Sequence, residues 1–424
     1  MDIVRDYDIR GIYPKEINEE IAYKIGKKLG DFSKKDKLYL NYDNRLGSLR
    51  IRDQIEKGIN EKGIDVIEGP LGPLAAISLK SFLEKSLSVS ITASHNPAEY
   101  TGVIIYENGK TVRPNLVIEA KERKAKKLGE IKYEEINEEY KNYLLSNFGY
   151  LKDEKFKLIF DSLGGAATFI GNKIFQSICN TIPLRKDFDP HYFGLPPEPN
   201  EKTSEKLREE VIKERADLGI EVDADADRVL IVDETGNLIN IARIEILFSK
   251  LLKYKKLVAS ISSPKIFEKY FEVIYTPVGR PYIENKIGKG LLGFEGSGHL
   301  YFGDFYPFSD GILAGIMLIK AIKKAKNKKL SELLKSIPNI FYFEGKIPVS
   351  SMKEAKKSLA ILEEKMKEYG KIKKIDGVRL DINDSFILFR KSNTEPVIRY
   401  YVNSEKEENF EKMLELAEKL RKII

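Results

Sequence analysis

The sequence predicts an α/β fold: sheets with helices on their faces, built in three similar modules and closed by a fourth of different style. Two observations carry this. β-prone runs alternate with helix-spaced segments up to about residue 338, and from residue 340 onward strands surround one long helix. A length of 424 residues suits two to four domains. With 42% hydrophobic and 32% charged residues, the chain can bury a core beneath a charged surface.

Taken in order, the segment after Asp6-Tyr7-Asp8-Ile9-Arg10-Gly11 carries Ile17, Ile21, Ile25 and Leu29 at helical spacing, predicting a helix over residues 16–32. Residues 37–43 read as a strand ending at Asn44-Arg45, residues 48–62 as a helix and 65–67 as a strand. Runs at 87–91 and 102–106 predict two more strands. Between them, Thr92-Ala93-Ser94-His95-Asn96-Pro97 places a serine in a turn, where its hydroxyl is expected to be exposed and fixed in direction. The Lys- and Glu-rich stretch 118–146 reads as one or two surface helices and a domain exit. The alternation restarts with a strand at 156–161, a Gly164-Gly165 turn and a helix running to Cys179. Residues 190–199, rich in proline, form a loop. A third restart at residue 243 passes through a strand at 257–261 to a helix over 311–325. The last module holds a helix over 353–368, a strand at 397–402 and a final helix from Glu405. The expected domains are 1–147, 148–242, 243–338 and 339–424.

Composition narrows the function classes. A net charge of +7 comes from 72 basic and 65 acidic residues that are interspersed. That suits a small anionic substrate, and no basic block interleaved with aromatics points to a nucleic acid partner. The lone Cys179 excludes an internal disulfide and suits a reducing compartment. The start of the chain lacks a signal-like apolar core, and the most apolar stretch, 311–319, is too short to span a bilayer. A cytoplasmic chain without a membrane partner is expected.

Three further stretches carry chemistry. In Asp223-Ala224-Asp225-Ala226-Asp227-Arg228, extended backbone would aim three carboxylates to one side. Their repulsion calls for a divalent cation, with Mg²⁺ favoured, against the plain alternative of a solvated acidic turn. An EF-hand is excluded because Arg228 stands where that loop needs glycine. Gly293-Phe294-Glu295-Gly296-Ser297-Gly298-His299 offers a carboxylate, a hydroxyl and an imidazole suited to sugar hydroxyls. Arg390-Lys391-Ser392-Asn393-Thr394-Glu395-Pro396, with Arg399, suits a phosphate that is held but not cleaved, or else is an ordinary charged turn.

A serine loop, an acidic loop, a polar loop and a phosphate loop, one per module and in that order, resemble the α-D-phosphohexomutase family of phosphomannomutases and phosphoglucomutases along essentially the whole chain. The resemblance implies three related α/β domains with mixed sheets and a C-terminal domain similar to the TATA-binding-protein fold, heart-shaped around a cleft. It implies a Mg²⁺-dependent mutase that interconverts hexose 1- and 6-phosphates (mannose and/or glucose) through phospho-Ser94 and a 1,6-bisphosphate, which also serves as activator. The metal would be held by Asp223, Asp225, Asp227 and a phosphate oxygen on Ser94. Glu295, Ser297 and His299 would bind sugar hydroxyls. Arg390, Ser392, Asn393, Thr394 and Arg399 would hold the distal phosphate. Tyr7, Arg10, His95 and Arg228 match positions near the phosphoserine and substrate. Tyr7-Asp8-Ile9-Arg10-Gly11 resembles the phosphomannomutase/phosphoglucomutase branch more than the glucosamine one.

One departure matters. The family pattern Asn-Gly-x-Lys is here Thr101-Gly102-Val103-Ile104, and an aliphatic side chain cannot take a proton. Lys110, Arg113 or His299 is left to serve as base. The alternative is a paralogue that binds sugar phosphates without efficient turnover. Phe294 and Asn393 stand where the family pattern has glycine.

Overall fold

Two compact units make up the chain, Met1–Ile239 with Gly298–Ser331 and Asn240–Ser297 with Glu332–Ile424, in a computed structural model that describes residues 3–392 and 396–424. In the first unit, the strand Leu87–Ile91 runs parallel to Lys37–Tyr42 and antiparallel to Tyr100–Glu107. Asp65–Leu71 and Ile131–Tyr133 extend the sheet on one side and Ile9–Ile12 on the other, so the sheet is mixed. The helices Glu19–Phe32 and Ser48–Asn60 bury Ile25, Leu29, Ile51, Ile55 and Ile59 against Val89, Ile91, Val103 and Ile105. Alternation along a strand sends the intervening Ser90 and Ile104, which pair across strands, to the opposite face.

The stretch expected as surface helices differs. Residues 119–130 are irregular, Ile131–Tyr133 is an edge strand, and only Pro114–Ile118 and Ile136–Phe148 are helical. Ile136, Tyr140, Leu144 and Phe148 are buried, one every four residues, so the second helix is a packing element. The density of Lys and Glu around that stripe hides it in the sequence. The helix expected to reach Cys179 stops at Gln176, and Cys179–Pro183 is a strand parallel to Asp153–Asp161.

Beside Asp153–Asp161 lies Leu218–Val222, followed by the antiparallel Val229–Asp233 and Leu238–Ile239. The helix Gly311–Lys324 packs within the first unit. Glycine permits this: a Cβ on Gly315 would stand 2.7 Å from the Ile220 side chain and 2.9 Å from that of Phe175. Asp310 caps this helix by accepting from the Ile312 and Leu313 amides, and its other oxygen accepts from Tyr140 and Tyr306 at 2.7 Å each.

In the second unit, Glu272–Thr276, Lys256–Ser260 and Leu291–Glu295 pair in parallel. The closing module is a five-stranded antiparallel sheet. The helices Met352–Met366 and Glu407–Arg421 supply Leu362, Met366, Met413 and Leu420 to a core with Leu380, Ile387, Phe389 and Val402. This is the separate α+β domain that the change of pattern at residue 340 predicts. Among the described residues, no helix is long and apolar enough to cross a membrane.

Candidate active site

The serine turn leaves the sheet at the end of Leu87–Ile91. Ser94 adopts a left-handed backbone (φ 49°), a conformation that a non-glycine residue holds only when its surroundings impose it. They do so from several sides. The Ser94 amide donates to Thr92 Oγ1 (2.9 Å), Arg10 Nη1 donates to the Ala93 carbonyl (2.9 Å) and Asn96 Oδ1 (2.6 Å), and Arg10 pairs with Asp8 (2.8 Å). Tyr7 sits half-buried at the tip of the hairpin in which Val4 bridges Ile9. Ser94 is only 2% exposed. The expectation of an exposed hydroxyl is therefore corrected, while its fixed direction agrees with the hydrogen bonds around it.

The acidic loop joins Leu218–Val222 to Val229–Asp233. Asp223, Asp225 and Asp227 are buried, and one carboxylate oxygen of each lies within 4.8 Å of the others. Neighbouring backbone shapes the loop: the Ala166 amide donates to the Ala224 carbonyl (2.7 Å), Ala224 to Pro197 (3.1 Å) and Gly311 to Ala226 (2.9 Å). A Cβ on Gly311 would stand 2.4 Å from the Arg228 carbonyl, so the helix can begin here only with glycine. Thr92 Oγ1 donates to Asp225 Oδ2 at 3.4 Å, linking the serine turn to the acidic loop. His95 makes a second link, its Nδ1 lying 3.3 Å from Ser94 Oγ and 2.8 Å from Arg228 Nη2. Arg228 also pairs with Glu198. His299 Nε2 stands 3.2 Å from Asp227 Oδ1.

Burial, followed by repulsion from Asp227 and Asp225, pushes the Asp223 carboxyl well above the usual carboxylate range. Its Oδ2 accepts no hydrogen bond, with Arg228 Nε 3.7 Å away. An all-oxygen set of buried carboxylates fits a hard divalent cation, whose charge would remove that repulsion. His95 goes the other way: burial, then the Arg228 and Arg10 guanidiniums, hold its imidazole well below the usual histidine range, so it is neutral.

The second unit holds the other expected residues. Glu295 ends the strand Leu291–Glu295, and Ser297 follows it. Phe294 is buried and meets the Phe267 ring edge-on at 4.8 Å, so its departure from the family glycine serves the core. Arg390 and Arg399 pair across strands and share a face, and Lys346 pairs with Arg399 from the other side. Arg390 Nε donates to Asp376 (2.9 Å), and Arg399 Nη1 to Glu344 (2.5 Å). Ser392 is buried, while Asn393 and Thr394 lie outside the described residues.

Lys110 does not join the site. It pairs with Glu107, which lies opposite Leu87, the end of that strand remote from Ser94. The strand alone separates them by about 13 Å. Ile104 is fully buried. Three residues to which the sequence assigns no role belong to the picture: Thr92 as the link to Asp225, Lys346 beside Arg399, and Arg45. The Arg45 side chain is wholly buried, and it donates to the carbonyls of Ser94, Asn96, Pro97 and Tyr100. An arginine at the end of a strand has no sequence signature for such a role.

The chain matches the phosphoglucomutase/phosphomannomutase families of alpha/beta/alpha domain I over residues 1–129, domain II over 138–236, domain III over 235–341 and the C-terminal domain over 344–420. A probable phosphoglucosamine mutase of Thermococcus gammatolerans is 29% identical, across 98% of this chain and 97% of that protein. A phosphoglucomutase/phosphomannomutase family protein from Burkholderia thailandensis has a similar structure, with TM-score 0.88 and 21% identity over 100% of this chain and 97% of its own. An Aspergillus fumigatus N-acetylphosphoglucosamine mutase, solved with GlcNAc-6P and magnesium, aligns with TM-score 0.61 and 12% identity over 99% and 95%.

Proposed function

Because the chain belongs to the phosphoglucomutase/phosphomannomutase family and is thus a hexose-phosphate mutase, we propose that it carries a phosphoryl group on Ser94 and interconverts the 1- and 6-phosphates of glucosamine. The observation that carries the Ser94 assignment is its constrained left-handed backbone, tied through Thr92 to Asp225. The choice of amino sugar is supported by the Thermococcus relative and departs from the mannose or glucose expected from Tyr7–Gly11.

Phospho-Ser94 transfers its phosphoryl group to the free hydroxyl of a hexose monophosphate: the new P–O bond forms to the sugar oxygen as the bond to Ser94 Oγ breaks. The hydroxyl proton passes to the His299 imidazole, whose Nε2 stands 3.2 Å from Asp227 Oδ1. The 1,6-bisphosphate then reorients, and its other phosphoryl group returns to Ser94 Oγ as its bond to the sugar oxygen breaks, that oxygen taking back the proton from His299. Arg10 and Arg228 carry positive charge beside the Ser94 turn, which favours the phosphoryl group in transfer. Asp223, Asp225, Asp227 and a Ser94 phosphate oxygen would hold Mg²⁺, which when bound neutralises charge on the phosphoryl oxygens. Glu295 and Ser297 bind sugar hydroxyls, and Arg390, Ser392, Asn393, Thr394 and Arg399 the distal phosphate.

The decisive experiment is a Mg²⁺ mutase assay primed with hexose 1,6-bisphosphate on glucosamine, glucose and mannose 1-phosphates. Glucosamine 1-phosphate is expected to turn over fastest, with activity abolished in Ser94→Ala. Preference for glucose or mannose would overturn the sugar assignment, and inertness towards all three the proposed mechanism. Buried Ile104 favours a second reading, an impaired member of the family that binds sugar phosphates without efficient turnover. Tight binding with negligible turnover after priming would select it.

A further inference from the structure

Arg45 spends its hydrogen bonds on one object. Nη2 donates to the carbonyls of Ser94 and of Asn96 (2.8 Å), and Nη1 to those of Pro97 (2.7 Å) and Tyr100 (3.0 Å). Nε donates to Asp43 Oδ2 (3.0 Å), whose other oxygen accepts from Ser48 and from the Arg45 amide (3.1 Å). Four carbonyls converging on one buried point repel one another unless a cation with spread donors stands among them. A guanidinium presents five N–H groups in a rigid plane, whereas an ammonium offers three from a single atom. The path of the serine turn, including the left-handed Ser94, therefore depends on this guanidinium.

A second side chain holds the guanidinium itself. The Tyr192 ring lies 5.3 Å from the Arg45 guanidinium carbon and is fully buried, on a turn where Tyr192 (φ 53°) and Phe193 (φ 57°) are both left-handed. Its Oη meets no hydrogen-bond partner. The tyrosine thus brings a flat ring to this place rather than a hydroxyl. It also brings the turn between Asp189 and Leu195 under the residue that shapes the serine turn.

We propose that Arg45 is a positioning residue for phosphoryl transfer, setting the orientation of Ser94, and that the Tyr192 ring fixes the plane of Arg45. The proposal rests on the reading of Ser94 as phosphoryl carrier. The test compares Arg45→Lys, Tyr192→Leu and Tyr192→Phe with wild type in the primed mutase assay on glucosamine, glucose and mannose 1-phosphates. Rates are referred to folded protein by circular dichroism, and Ser94 phosphorylation is followed by intact mass. A displacement of the nucleophile by an ångström costs on the order of a hundredfold in rate. Arg45→Lys is accordingly expected to lower kcat about a hundredfold with KM changed less than about threefold, and Tyr192→Leu about tenfold, most of which Tyr192→Phe recovers. A purely structural role would lower the folded fraction and leave kcat per folded molecule intact. If Arg45→Lys does not fold, the two Tyr192 variants decide. Arg45→Lys with kcat per folded molecule within about threefold of wild type, or Tyr192→Phe as slow as Tyr192→Leu, overturns the inference. Full turnover in Ser94→Ala would instead overturn the carrier reading beneath it.

Discussion

His299 Nε2 and Asp227 Oδ1 lie 3.2 Å apart, both side chains at most 5% exposed. A carboxylate beside an imidazole fixes the direction of the ring, which suits a group that takes part in proton transfer. His299→Ala is expected to lower kcat by about a hundred- to ten-thousandfold. Mg²⁺ binding by titration calorimetry should persist, because the histidine is no ligand in the proposed set.

Burial and the neighbouring Asp227 and Asp225 oppose ionisation of Asp223, whose Oδ1 accepts from the Arg228 amide at 3.1 Å. In the absence of Mg²⁺, Asp223→Asn is expected to raise the thermal midpoint, since it removes a buried carboxyl whose ionisation is opposed by burial and by two neighbouring carboxylates. The same variant should lose the Mg²⁺-induced rise in midpoint and the mutase activity. Differential scanning calorimetry with and without Mg²⁺ reads both effects.

Glu56 gives the stability a pH dependence. Burial, then repulsion from Glu68, pushes its carboxyl up from 4.5 to about 7. Between those values the folded chain keeps a proton that the unfolded chain has released. Its stabilising contribution is therefore complete below pH 4.5 and is lost as the pH climbs through about 7. Glu56→Gln should match wild type in denaturant unfolding at pH 4.5 and exceed it at pH 8. Equal stability at both would contradict the assignment.

Ile104 pairs with Ser90 and is fully buried. Placing an ammonium there carries the penalty of a buried charge. Ile104→Lys is expected to lower the unfolding midpoint by several degrees, about the shift that a loss of 1–2 kcal/mol produces. A gain in kcat in the same variant would identify this position as one from which a base can act.

Much of the fold follows from local pattern. Ile17, Ile21, Ile25 and Leu29 foretell a helix, observed as Glu19–Phe32, and Val89 and Ile91 a strand. The misread places have equally physical causes. Around residue 140, charge density masked a four-residue apolar stripe, and at residues 131–133 a strand all of whose residues are exposed carried no alternation to read. Lys110 looked near Ser94 in sequence, but the Tyr100–Glu107 strand carries the chain to the other end of the sheet.

By itself, the sequence determined the chemical inventory: a serine in a tight turn, three aspartates at alternate positions, and two arginines, Arg390 and Arg399, near the C-terminal end. Spacing of two or four residues is enough to specify such local arrangements. Only the tertiary structure decided that Ser94 is buried, that His95 bridges it to Arg228, and that Arg45, 49 residues away, shapes its turn. Those relations are hydrogen bonds between separate strands and loops, and they leave no periodic trace along the chain because the sheet register, not residue spacing, brings the partners together.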